Sequence, residues 1–204
     1  HEAALVDYAG MNLARGDGDI LRAALTPGSD GAAVVRTLPL NTPWRTIQIG
    51  EKAGDLAESS LILNLNEPNA IGDVSWFTPA KYVGVWWSLH LDTETWATGP
   101  KHGATTQNTK RYIDFAAANG FRGVLVEGWN PGWDGDWFAN GWGFDFTRST
   151  ADFDLPALAR YAAGKGVHLV GHHETACAVS HYERQLPAAL DLYARHGVAV
   201  VKTG

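Results

Sequence analysis

One cysteine in 204 residues, Cys177, excludes an internal disulfide and leaves the redox compartment open. The chain has no run of Lys or Arg and a net charge of −6. Sequence-independent affinity for nucleic acid needs clustered positive charge, so both features argue against a phosphate-backbone partner. No apolar run approaches the length needed to cross a bilayer, and no membrane span is expected. The chain opens on His1 rather than on an initiator Met with a signal sequence behind it, so any export signal is expected upstream. What is present is an ordinary globular composition, 45% hydrophobic and 19% charged, enough to bury a core. The sequence pI of about 5.7 fits a neutral or small ligand better than a polyanion. Nine Trp is a high count. Indole faces stack well on the apolar faces of sugars, although most Trp in most proteins are core.

Up to about residue 66 the apolar positions fall in short runs (33–38, 44–49, 61–65), after an alternating stretch at 1–8. They are split by Gly16-Asp17-Gly18 and Pro27-Gly28-Ser29-Asp30-Gly31. Short strands at that spacing predict an antiparallel sheet or sandwich. Beyond a connection between Pro68 and Pro79 the rhythm changes. Strands are predicted at 81–87, 121–126, 167–171 and 198–202. Helices are predicted at 106–119, with Tyr112, Phe115 and Ala116 on one face, at 154–165 under an Asp154 cap, and at 182–196. This βαβαβαβ order implies parallel strands with right-handed crossovers. A doubly wound sheet usually carries a Gly-rich phosphate loop after its first strand, and none follows Trp87. The fold class is therefore α/β, read as the first half of a (β/α)8 TIM barrel, since four strands cannot close one of eight.

In such barrels the site lies at the C-terminal ends of the strands. Strand one delivers Trp86, Trp87 and then His90; strand two, Glu127-Gly128-Trp129-Asn130; strand three, His172-His173-Glu174-Thr175; strand four, Lys202-Thr203-Gly204. Two carboxylates on neighbouring strand ends, flanked by indoles, outline a sugar-cleaving cleft in which one acts as acid and the other as base or nucleophile. A strand-end Glu also serves often as a cap or an ion-pair partner. The pair His172 and Glu174 share a face while His173 turns to the helix layer, which leaves too few ligands for zinc. Cys177 reads as a packed thiol rather than a nucleophile, and His168, His181 and His196 as surface or layer residues. The loop with Trp129, Trp133, Trp137 and Trp142 reads as a sugar-stacking wall, with packing of the loop on itself as the alternative.

Specific strings carry more than pattern. TPWRTIQIG (42–50), LILNLNEP (61–68), KYVGVWW (81–87), KHGATT (101–106), RYIDFAAANGFRGVLVEGWN (111–130), GHHET (171–175) and VKTG (201–204) together resemble glycoside hydrolase family 97 over nearly the whole chain. The resemblance implies a bacterial enzyme, periplasmic or secreted, that acts on α-glycosides of oligosaccharides with Ca2+ in its site. It is built from an N-terminal β-sandwich, a central barrel and a C-terminal β-domain. Residues 1–70 would be the C-terminal part of the sandwich and 71–204 the first half of the barrel. The Glu of HHET falls on Glu174 as catalytic base. His172, Glu127 and Lys202 fall around the substrate, with Trp87 and Trp129 beside them. HEAAL at the N-terminus places a calcium ligand on Glu2. Inverting members pair the HHET Glu with a Gly in the strand-four motif, whereas retaining members put a nucleophilic Asp at that Gly; here it is Gly204. The expected activity is thus an inverting α-glucosidase type, with a retaining α-galactosidase or a non-catalytic sugar-binding protein as alternatives. The general acid and the remaining calcium ligands are expected on later strands, so this stretch alone is not expected to hydrolyse. Oligomeric state is left open.

Overall fold

In the computed structural model, which describes residues 11–25, 31–32, 34–42 and 46–204, the turn signals at 16–18 close a hairpin. Strands β1 (Met11–Arg15) and β2 (Leu21–Leu25) pair antiparallel, from Met11 opposite Leu25 to Arg15 opposite Leu21. The Gly16 N–H donates to the Ile20 carbonyl (2.8 Å), and Gly18 takes a φ of +64°, open to glycine at little steric cost. Two one-turn helices follow, α1 (Ala53–Ala57) and α2 (Leu61–Leu65). The second corrects the expectation of a strand at 61–65. A strand needs a ladder partner, and among the described residues before Val74 the only ladder is β1 with β2. Unpaired, the LILNL segment satisfies its backbone internally, as where the Asn64 N–H donates to the Ser60 carbonyl (3.2 Å). Residues 34–38 and 46–49 likewise carry no strand, with Ile47 and Ile49 exposed. The segments 1–8, 27–30 and 43–45 lie outside the described residues.

The chain divides at Val74/Ser75 into two units, and the second is built on one parallel sheet. Its strands β3 (Tyr82–Val85), β4 (Gly123–Val126), β5 (His168–His173) and β6 (Val200–Thr203) lie side by side in chain order. Between them run α3 (Trp87–His90), α4 (Thr106–Ala118), α5 (Leu155–Gly164) and α6 (Val179–Arg195). All four residues of β4 are buried, as a strand covered on both faces requires. Val85, Val124, Val126 and Leu169 of the sheet share one core with Ile113 and Ala116 of α4, Leu158 and Ala162 of α5, and Tyr193 of α6.

Helices α4 and α5 start where their caps say. Thr105 Oγ1 accepts the Asn108 N–H (3.1 Å) at α4, and the Asp154 carboxylate accepts the Ala157 N–H (2.9 Å) at α5. One face is corrected: Asn108, Thr109, Ile113 and Ala116 are the buried side of α4. Phe115 stays 51% exposed and instead stacks on Phe121 (centroids 6.0 Å). At Gly171 an added Cβ would run into the Tyr193 ring, so this glycine sets how closely α6 approaches the sheet.

Candidate active site

Register decides which strand-end side chains meet. Leu125 is level with Val170 and His172 with Lys202, so Glu127, two residues past Leu125, is in phase with His172 and Lys202. Equal pleat phase puts all three on one face. Lys202 Nζ donates to Glu127 Oε1 (3.1 Å), and His172 Nε2 lies 3.3 Å from the same oxygen. That second approach is not aligned for a hydrogen bond, and both nitrogens of the fully buried His172 ring lack a partner among the described residues. The Trp96 indole N–H takes the other carboxylate oxygen (2.9 Å). Glu127, 6% exposed, is thus gripped by a cation and an indole. Burial pushes the His172 imidazole down to about 4; Glu127 opposes that shift and Lys202 adds to it. The charge pair is therefore Lys202 with Glu127, beside a neutral ring.

Glu174 follows the end of β5. Its Oε1 accepts the Ala176 N–H (2.8 Å) across a backbone in which Ala176 and Cys177 both adopt left-handed φ (+41° and +62°), a costly conformation for non-glycine residues. Its Oε2 abuts Gly204, where an added Cβ would fall inside contact distance. Gly204 is tied in turn: its N–H donates to the His173 carbonyl (2.9 Å), and its carbonyl accepts the Thr175 hydroxyl (2.8 Å).

His173 turns to the helix layer, as pleat alternation requires. It stacks on Tyr193 (4.9 Å, 7°), and its Nδ1 meets the Tyr182 hydroxyl (3.0 Å). Trp129 does not line the site. It is 2% exposed, packs on Phe153 and Tyr193, and donates its indole N–H to the His172 carbonyl (2.7 Å). In the loop beyond, packing prevails for Trp133, which is 3% exposed between Phe144 (5.1 Å) and Trp96 (6.3 Å). Trp142 remains 58% exposed, with the Arg184 guanidinium over its ring. Trp87 begins α3 instead of ending a strand and is exposed next to Trp86 (5.5 Å). Cys177 is exposed rather than packed. Glu2 lies outside the described residues.

Sequence reasoning missed Trp96, His102 and Asp152. His102 Nδ1 donates to Asp152 Oδ2 (2.7 Å), and its Nε2 to the Gly128 carbonyl (3.0 Å). These residues sit in connections 26 to 50 positions from their partners, where no periodicity marks them; the string KHGATT, noted for its resemblance, was the available signal.

Residues 86–204 match the family model "Glycoside hydrolase 97", and residues 1–68 match "Glycosyl-hydrolase 97 N-terminal". A glycoside hydrolase family 97 enzyme from Pseudoalteromonas sp. strain K8, solved in complex with acarbose, is 59% identical. It superimposes with a TM-score of 0.89 over all of this chain and 31% of its own; a variant of it was solved with panose. The retaining alpha-galactosidase of Bacteroides thetaiotaomicron is 32% identical over 78% of this chain and 22% of its own length. A probable retaining alpha-galactosidase of Streptomyces bingchenggensis is 30% identical over 84% of this chain and 24% of its own. The chain therefore spans roughly a quarter to a third of these relatives.

Proposed function

The chain belongs to glycoside hydrolase family 97, and on that premise we propose that it is part of an enzyme cleaving terminal α-glucosidic bonds with inversion. The observation that carries this reading is the Glu174–Gly204 contact. Position 204 is where the strand-four motif of retaining members holds a nucleophilic Asp, and with Glu174 seated as it is there is no room for a side chain. The relative solved with panose, a trisaccharide of α-linked glucose, supports a glucoside substrate. In the proposed step Glu174 takes a proton from water as the water oxygen bonds to the anomeric carbon. The glycosidic C–O bond breaks, and the leaving oxygen is protonated by a carboxylic acid from the enzyme beyond this chain. Acid and base would stand about 6.5–9.5 Å apart, leaving space for the water. Glu127, Lys202 and His172 would hold the sugar hydroxyls, with neutral His172 able to donate from one ring nitrogen and accept at the other.

The proposal keeps residues 1–70 as the end of a β-sandwich, residues 71–204 as half of a (β/α)8 barrel, and export to the periplasm or beyond. Among the described residues no helix is long and apolar enough to cross a membrane. Calcium belongs to it through the family resemblance alone. Among the described residues no three His, Cys, Asp or Glu side chains converge, and both Glu127 oxygens are already engaged, so no step above runs through an ion.

A second reading, retaining α-galactosidase, rests on the names of the two curated relatives. Proton NMR of the first product formed from p-nitrophenyl α-glucoside by the full-length enzyme separates them: β-glucose supports inversion, and the α-anomer overturns it. In the same assay Glu174→Gln lowers turnover by orders of magnitude if Glu174 is the base.

A further inference from the structure

We propose that His102, backed by Asp152, is a positioning residue that holds the Gly128 peptide and through it fixes Glu127 against the sugar. The proposal rests on the reading above that Glu127 binds substrate. The His102 side chain is fully buried, and both of its partners, a carboxylate oxygen and a peptide carbonyl, only accept. Each ring nitrogen thus faces an acceptor that a ring N–H can satisfy. Asp152 suits the task. Desolvation alone would raise its pKa, but hydrogen bonds from His102 and Thr150 outweigh that and bring it below the usual carboxylate range. The loop carrying Asp152 also grips the next peptide, since the Thr150 N–H donates to the Trp129 carbonyl (2.9 Å).

Gly128 is the joint this clamp would need to control. Its φ is +87°, and a Cβ there would approach the Trp96 carbonyl to 3.1 Å. The peptide after Glu127 therefore turns sharply between Trp96, which holds the Glu127 carboxylate, and His102, which holds the Gly128 carbonyl. Without the His102 bond that carbonyl loses its buried partner, and rotation of the Gly128 peptide swings Glu127 away from Lys202 and His172.

Two substitutions in the full-length enzyme divide the clamp. His102→Gln keeps a donor near the Nε2 position, for Gly128; His102→Asn keeps one near Nδ1, for Asp152. Both remove the imidazole ring. With p-nitrophenyl α-glucoside, or the α-galactoside if the wild-type enzyme prefers it, His102→Asn is expected to lower kcat/KM by about ten- to a hundredfold, the scale of a misplaced contact group. His102→Gln should retain most of it. In a Glu127→Gln background the His102→Asn effect should shrink to less than about twofold, because the clamp then has nothing to position. A purely structural tie between the 101–103 segment and Asp152 gives the opposite order, with Gln the more damaging, or effects that multiply fully in the double variant; either result overturns the proposal. If Glu127→Gln alone leaves KM and kcat unchanged, the reading of Glu127 as a substrate contact fails, whereas a damaging Glu127→Gln with a silent His102→Asn sinks only the clamp.

Discussion

Replacing Gly204 with Ala tests the proposed base at the cost of one methyl group. The backbone at 204 cannot easily recoil, because its N–H is held by the His173 carbonyl and its carbonyl by the Thr175 N–H (3.2 Å) and hydroxyl (2.8 Å). The new Cβ would overlap Glu174 Oε2, and the atom free to give way is the end of the Glu174 side chain. Swinging it out breaks the bond to the Ala176 N–H. A hydrogen bond to a charged group contributes about 1.5–3 kcal/mol, and the new Cβ occupies the place the carboxylate would need to regain it. A base misplaced by about 1 Å costs on the order of a hundredfold in rate. Gly204→Ala in the full-length enzyme should therefore lower kcat on p-nitrophenyl α-glucoside by about ten- to a hundredfold. The loss lies in placement rather than folding, so the melting temperature should fall by only a few degrees. A variant with wild-type kcat would refute both the contact and the role given to Glu174.

Three further outcomes follow from burial. Gly171→Ala forces a Cβ into the Tyr193 ring and should destabilise the fold by about 1–3 kcal/mol, read as a shifted urea midpoint; an unshifted midpoint means that α6 is not seated on that glycine. Trp133→Ala should cost about 3–5 kcal/mol as a core truncation, while exposed Trp142→Ala stays within about 0.5 kcal/mol, and equal melting temperatures would contradict the division of that loop. Burial holds His172 and His173 at about 4, so between there and the ordinary histidine value near 6.5 the unfolded chain binds more protons than the folded one. The stability from keeping both rings neutral is fully present above about pH 6.5 and is lost as pH falls toward 4; urea midpoints at roughly pH 7.5, 6 and 5 that fail to decline would sink it.

Much of the second unit was legible because its signals are local. The Asp154 cap, the stop after each helix and the runs of buried β-branched residues all act within a few positions, and the strands appear within a few residues of where periodicity puts them. Pleat alternation likewise separates His172 from His173 on sequence alone. The first unit was less legible because a strand's stability lies in its partner. LILNL has the composition of a strand, but without a ladder it forms one helical turn. The miss at Phe115 has a different cause: hydrophobicity alone ranked it inward, whereas α4 spends part of its buried face on Asn108 and Thr109. Asn108 donates to the Gly103 carbonyl and to Glu94 (2.9 Å each).

The tryptophans show why composition pointed toward sugar without saying which rings would meet it. An indole next to a strand end serves either as a stacking surface or as a donor that locks the end in place, and sequence does not separate these roles because both need the same residue at the same position. Trp129 and Trp96 each spend their N–H within the protein, one on the His172 carbonyl and the other on the Glu127 carboxylate. Their effect on chemistry therefore runs through the residues they hold. Trp86 and Trp87 have exposed faces and sit on a helix tied down by the Ser88 hydroxyl donating to Glu94 (2.6 Å). If a ring at the end of β3 stacks on sugar, it should be one of those two, and Trp87→Ala should then raise KM for longer oligosaccharides more than for an aryl glycoside. Equal changes for both substrates would return Trp87 to the status of exposed framework.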